Sequence, residues 1–274
     1  MTQEHLTGRD AVATCARVTT SSLDIVSAPR LLIIQHEDDC PPEWIGGWFR
    51  QAGLAFDVVM GHRGDVIPVN LSAYDGLVVL GGEMGAYDDE THPWLAPTKR
   101  LIATVVEAGQ CFLGICLGHQ LATVALGGMV IVNPAGQAKG LTRVTLTDAG
   151  RADPVIQAIR PGAQSIQWNS DIAARLPAGA VTLATSPDGT IQAARFGVRA
   201  WGVQFHPETS PEEFASWLAA SGADEKPDDV DASEVLRDIQ RAQETLQADW
   251  EPVARRFAEV VFAAGTLDPQ LAVS

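Results

Sequence analysis

The sequence is short of positive charge. Lys and Arg together number 19 against 34 Asp and Glu, so the 274 residues carry a formal charge of −15. Such a surface repels phosphate backbones and anionic lipid, which excludes nucleic acid and membrane surfaces as expected partners. Cysteine is scarce too: Cys15, Cys40, Cys111 and Cys116 form no C-x-x-C pair and fall far below the density of a secreted disulfide scaffold. Free thiols in a reducing, cytoplasmic compartment are the expectation. No apolar run approaches the roughly 18 residues of a membrane-spanning helix. Residues 1–28 scatter Glu4, Arg9, Asp10, Arg17 and Asp24 among small residues, which interrupts any signal-peptide core and reads as a flexible extension. A P-loop pattern is also missing, so no nucleotide-binding synthetase unit is expected in the chain.

From Arg30 onward short apolar runs alternate with amphipathic stretches, the pattern of parallel strands joined by crossover helices. LLIIQ (31–35), FDVVM (56–60), GLVVLGG (76–82) and CFLGI (111–115) read as strands. Residues 41–53 read as a helix opened by prolines and stopped at Gly53, and the later part of 92–109 and the HQLATVALGG run as two more. Beyond residue 140, TRVTLT, AQSIQWN, AVTLATS, QAARFG and RAWGVQFHPE are strand-like runs separated by turn residues. They should extend the sheet and add antiparallel strands at one side, giving an α/β fold. Residues 211–220 begin with proline and should be helical. The acidic stretch 221–232 reads as a linker. A further helix, capped by Ser233, should carry Leu236, Ile239, Leu246 and Trp250 along one stripe, with Pro252 breaking or kinking it near Glu251.

The stretch FLGICLGHQ brackets Cys116 with Gly114 and Gly118. A nucleophile at a strand tip, just before a helix, needs a sharp backbone turn, and glycines two residues to either side relieve the crowding that the turn creates. The helix that follows aims its N-terminal N–H groups at the sulfur and favours the thiolate. The thiol needs a base. His119 falls within the helix, on a side away from the sulfur. His206 instead ends the strand WGVQFHPE, where Pro207 holds it extended and places Glu208 on the same side, suited to orient the imidazole. H-x-E could equally ligate a metal, but no further cluster completes a set, so no metal and no cofactor are expected. Asp88, Asp89 and Glu90 read as a solvated loop beside the site, Cys111 as a buried small hydrophobe, and the tryptophans as packing.

With Cys116, His206 and Glu208 in place, the chain resembles the class I glutamine amidotransferases of the Cys-His-Glu type, in particular the stand-alone GMP-synthase-like members. The resemblance rests on LVVLGGEMGAYDD (77–89), CFLGICLGHQLATVALGG (111–128) and AWGVQFHPETS (200–210), and spans about residues 30–220. It implies a flavodoxin-like three-layer sandwich over residues 29–221, with 222–274 as an acidic linker and helical extension. It also implies hydrolysis of the glutamine side-chain amide. By position, Cys116 forms a glutamyl thioester, His206 shuttles protons, Glu208 holds His206, and the N–H groups of Gly82 and Leu117 meet the oxyanion, each worth about 3 kcal/mol. Gln120, Ser170 and Asp171 correspond to substrate contacts. Relatives usually carry histidine where this chain has Asn169, a departure that bears on specificity for free glutamine. Three functional readings follow: a glutaminase feeding ammonia to a separate synthase, a stand-alone γ-glutamyl peptidase or hydrolase, and a non-catalytic interaction protein.

Overall fold

The computed structural model describes residues 28–221 and 231–265, Ser221 by its backbone alone. The expected N-terminal extension and most of the acidic linker lie outside the described residues.

The first half is the alternating unit that the sequence suggests. β1 (Arg30–Gln35) leads through α1 (Glu43–Gln51) to β2 (Ala55–Met60), and β3 (Gly76–Val79) leads through α2 (Leu95–Glu107) to β4 (Cys111–Ile115), which runs straight into α3 (Leu117–Ala125). Gly53, at φ +91°, reverses the chain after α1, a conformation that glycine adopts without strain. The second half holds β5 (Met129–Val132), β6 (Ala138–Arg143), β7 (Thr145–Leu146), the one-turn α4 (Asp148–Arg151), β8 (Gln164–Asn169), β9 (Asp171–Arg175), β10 (Val181–Thr185), β11 (Ile191–Gly197) and β12 (Ala200–Val203). The chain closes with α5 (Pro211–Ser221) and α6 (Ala232–Gly265).

Eight strands form one sheet in the order β2-β1-β3-β4-β12-β11-β10-β7. The first five are parallel, and β11, β10 and β7 are added antiparallel at one edge. This is the mixed sheet of the flavodoxin-like three-layer fold. The strand run TRVTLT is split, because Val144 leaves β6, which pairs with β8 in a separate ribbon, before β7 joins the main sheet. A second ribbon, β5 with β9, is absent from the sequence reading.

Period-two alternation sets the layers. In β1, Leu31 and Ile33 pack with Phe49 of α1 and with α6, while Leu32 and Ile34 pack with Leu101, Ile102 and Leu121 of α2 and α3. α6 runs about 50 Å at 1.5 Å per residue. Asp231 rather than Ser233 caps it, its Oδ1 accepting the Ser233 N–H at 2.9 Å. Nor does Pro252 break the helix, which is continuous from Ala232 to Gly265. An internal proline costs about 3 kcal/mol. Ile239, Trp250, Phe257 and Val261 are fully buried around it, and at about 1.5–3 kcal/mol each they outweigh that cost. Trp250 stacks on Phe205 at 4.4 Å and donates its indole N–H to Gln164 O at 3.0 Å. Phe257 meets both Phe49 and Trp201. Among the described residues no helix is long and apolar enough to cross a membrane.

Candidate active site

The parallel strands end together, and the loops after β1 and β3 flank the point where the strand order turns outward in both directions, the usual crevice of an open α/β sheet. The elbow lies there. Cys116 has φ +48° and ψ −105°, an arrangement that costs a non-glycine residue about 1–3 kcal/mol and that the surroundings must impose. Its N–H donates to Val203 O at 2.8 Å, and the Gly118 N–H donates to Leu80 O at 3.1 Å, so the turn is pinned to the strands on both sides. The two glycines are needed for close approach. A methyl group on Gly114 would lie 2.6 Å from the Gly118 carbonyl, and one on Gly118 would lie 2.1 Å from Val79 O.

His206 does not end the strand as expected: β12 stops at Val203, and His206 lies three residues beyond it, held by an isolated bridge to Ile166. Its N–H donates to Ile166 O at 2.9 Å, and its Nδ1 lies 2.8 Å from Glu208 Oε1. The Glu208 carbonyl accepts the Trp44 N–H, which ties the pair to the start of α1. A methyl on Gly81 would come within 2.8 Å of His206 Cε1 and 3.7 Å of Cys116 Cβ, so this glycine is the gap through which imidazole and sulfur share one cavity. Burial alone would lower the His206 pKa. The Cys116 sulfur and the Glu208 carboxylate reverse that and raise it to about 10, so the imidazolium form is held through neutral pH. Glu208→Gln should therefore let the His206 pKa fall, and should cut turnover by about 10³–10⁴-fold, as loss of the orienting carboxylate does in comparable triads. NMR titration of the ring and steady-state rates check the two parts.

The cavity around the elbow measures about 490 Å³. Gly82, Gln120, Ser170 and Asp171 line it with Cys116 and His206. Leu117, first residue of α3, is buried beneath it and has one of the N–H groups that a helix start leaves without an intrahelical partner. Gln120 Nε2 donates to Asp171 O at 3.1 Å, and Asn169 Nδ2 to the same oxygen at 3.0 Å. Asn169 thus crosslinks the loop between β8 and β9 to the residue that Gln120 also holds. Of the acidic loop, Asp88 lines the cavity and accepts the Gly85 N–H, while Asp89 pairs with Lys99 at 2.7 Å.

Other residues around the sulfur and in the wall were not singled out by the sequence reading. Gln204, fully buried, directs Nε2 to Cys116 Sγ at 3.7 Å. Two tryptophans do more than pack: Trp168 and Trp217 both line the cavity, and Trp217 sets its ring 4.8 Å from that of His206 while donating its N–H to Asp39 O at 2.8 Å. The loop after β1 contributes Glu37, Asp39 and Cys40, whose polar atoms lie within 4.8 Å of one another. Its signal in the sequence is positional, a polar segment at the carboxyl end of a central parallel strand. Burial, with Asp39 and Glu83 nearby, pushes the Glu37 carboxyl up to about 7 against the Cys40 S–H bond. A carboxyl raised in the folded state withdraws stability as pH climbs from its ordinary 4.5, and the loss is complete above about 7. Glu37→Gln should accordingly raise the melting temperature at pH 8 and leave it nearly unchanged at pH 4, a comparison for calorimetry.

Fold and site together define an α/β domain that presents a sulfur and an imidazole in one cavity at an elbow, with a buried carboxylate hydrogen-bonded behind the imidazole. The chain belongs to the glutamine amidotransferase class-I family, whose model matches residues 44–223. It is 32% identical over 165 residues to a γ-glutamyl-L-1-hydroxyisopropylamide hydrolase from Pseudomonas sp., a match covering 58% of this chain and 55% of that protein. It is 33% identical over 153 residues to the glutamine-hydrolyzing GMP synthase of Thermotoga maritima, covering 56% of this chain and 28% of the synthase. The matches thus span about half of the first relative and little more than a quarter of the second. Among solved structures, a Thermotoga maritima glutamine amidotransferase superposes with a TM-score of 0.76 at 27% identity, over 85% of this chain and 99% of the other.

Proposed function

We propose that this enzyme hydrolyses the side-chain amide of L-glutamine through a cysteinyl thioester and supplies the ammonia to a separate acceptor enzyme in the cytoplasm. The observation that carries the reading is the elbow: a strained Cys116 sharing one cavity with His206, which is hydrogen-bonded to Glu208 behind it. In this reading the Cys116 thiolate attacks the amide carbon, and the N–H groups of Gly82 and Leu117 receive the developing oxyanion. His206 then protonates the departing ammonia, and water, deprotonated by the same imidazole, releases glutamate. Gln120, Ser170 and Asp171 hold the amino-acid end. Residues 29–221 make up the hydrolase unit, and the helical part of 222–274 braces it. A purely docking role finds little support, because α6 spends its apolar stripe on the sheet.

Asn169 and a cavity larger than one amino acid fills favour a second reading, hydrolysis of substituted γ-glutamyl amides, the kind of bond named for the Pseudomonas relative. Glutamate and ammonia release from L-glutamine, run beside amine release from a γ-glutamyl alkylamide, separates the two. Glutamine turnover that rises when a candidate synthase is added supports the first. Alkylamide cleavage with inert glutamine replaces it by the second.

A further inference from the structure

The walls of the cavity are chemically one-sided. Glu37, Asp39, Glu83, Asp88 and Asp171 all line it, and among the described residues no Lys or Arg does, the His206 imidazolium being the cation there. Lys139, the cation held 4.6 Å over the Trp168 ring, is not a wall residue. Asn169, 6% exposed, commits its Nδ2 to Asp171 O and keeps its Oδ1 out of contact with the cavity, so it shapes the amino-acid end rather than the far wall. The carboxylate lining calls for a ligand that carries positive charge.

Position divides the work. Asn169 and Asp171 are wired to Gln120, the group assigned to the amino-acid end of the substrate. The Glu37–Cys40 loop is wired instead to His206 through Trp217, which touches the imidazole with its ring and Asp39 with its N–H. Because His206 is the proton donor to the departing nitrogen, whatever that nitrogen carries extends along the wall where Glu37 and Asp39 stand.

We infer that the cavity takes γ-glutamyl amides whose amine half carries a second, protonated amino group, mono-γ-glutamylated diamines, with Glu37 and Asp39 receiving that ammonium. The inference rests on amide hydrolysis by Cys116 and specifies its substrate class. The sulfur bonds to the γ-carbonyl carbon, the C–N bond breaks, and the nitrogen leaves with the proton from the His206 imidazolium as a free diamine. Water then gives its proton to His206 and its oxygen to the carbonyl carbon, releasing glutamate and the thiolate. No electrons are gained or lost. Glu37, raised to about 7 by burial first and by Asp39 and Glu83 next, is a carboxyl that a bound cation would hold ionised.

The test compares the full chain on mono-γ-glutamyl-1,4-diaminobutane with γ-glutamyl-n-pentylamide, in which a methyl replaces the distal ammonium, and with L-glutamine. The cationic amide should have kcat/KM about tenfold or more above its neutral counterpart, as expected for charge-assisted pairing in a partly dehydrated cavity. That ratio should shrink in 0.5 M salt, and should approach one in the double variant Glu37→Gln, Asp39→Asn. The ratio compares two substrates on one preparation, so a general loss of folded protein does not mimic the effect. Equal or reversed rates on the two amides, with Cys116-dependent cleavage intact, overturn the diamine assignment and leave amide hydrolysis standing. No cleavage of any of the three by folded protein overturns both.

Discussion

Cys116→Ala should abolish amide hydrolysis, lowering kcat by about 10⁴–10⁶-fold, and His206→Ala should cost about as much, with the double variant losing no more than either alone. The expectation follows from the way the two side chains share their work. Burial disfavours an isolated charge on the imidazole, yet the sulfur and the Glu208 carboxylate hold it in its charged form. Removing the sulfur leaves His206 with a proton and nothing to attack; removing the imidazole leaves the thiol without a base and the departing nitrogen without a proton. Independent contributions would instead multiply in the double variant. Steady-state rates on glutamine and on a γ-glutamyl amide, with a cysteine-directed electrophile to confirm the sulfur's identity, decide between them.

Gly118→Ala should cost about 3 kcal/mol or more, at the upper end of what overpacking does, and should lower the melting temperature by roughly 6 °C or more. The reason is local. The added methyl would sit 2.1 Å from Val79 O and 2.8 Å from Val79 C, both backbone atoms of a central strand that cannot rotate away. Either the start of α3 lifts from β3, undoing the bond from Gly118 N–H to Leu80 O, or the strand moves and the sheet with it. Gly47→Ala is the matching control: it lies within α1, and nothing comes within 4 Å of the added methyl. Alanine there should gain up to about 1 kcal/mol from helix propensity. Thermal melts of the two variants in one buffer measure the contrast, and equal melting temperatures would show that the glycine is not needed for close approach.

The features that the sequence makes legible are those written in periodicity or in tightly spaced motifs. β1, β3 and β4 announce themselves as apolar runs, and the Gly114-Cys116-Gly118 spacing signals a crowded turn before any coordinate is known. The partnership of His206 with Glu208 is also legible from the H-x-E spacing around Pro207, although the strand stops at Val203 and the pair stands on the segment beyond it. What escapes is set by distant contacts. β5 exposes Met129, Ile131 and Val132 and buries Val130 alone, so its all-apolar MVIV run shows no inside-outside alternation to mark its pairing with β9. Pro252 reads as a helix breaker because its cost is local, whereas the burial of Trp250 and Phe257 that offsets it comes from strands far away in the chain. Glu37 and Asp39 form no motif; they become wall residues only because β1 ends where β3 and β4 end. Trp217 likewise reads as one apolar position on an amphipathic helix, and its place beside His206 depends on how α5 returns to the sheet.

That placement gives the protein a built-in optical reporter. Two of the seven indoles, Trp168 and Trp217, stand in the cavity wall, and Trp217 lies edge-on to the imidazole. Indole emission is quenched by a nearby imidazolium and responds to displacement of water from its ring. Occupancy of the site and the protonation of His206 can thus be followed by intrinsic fluorescence, without label or turnover, in a Cys116→Ala protein that holds its ligand intact.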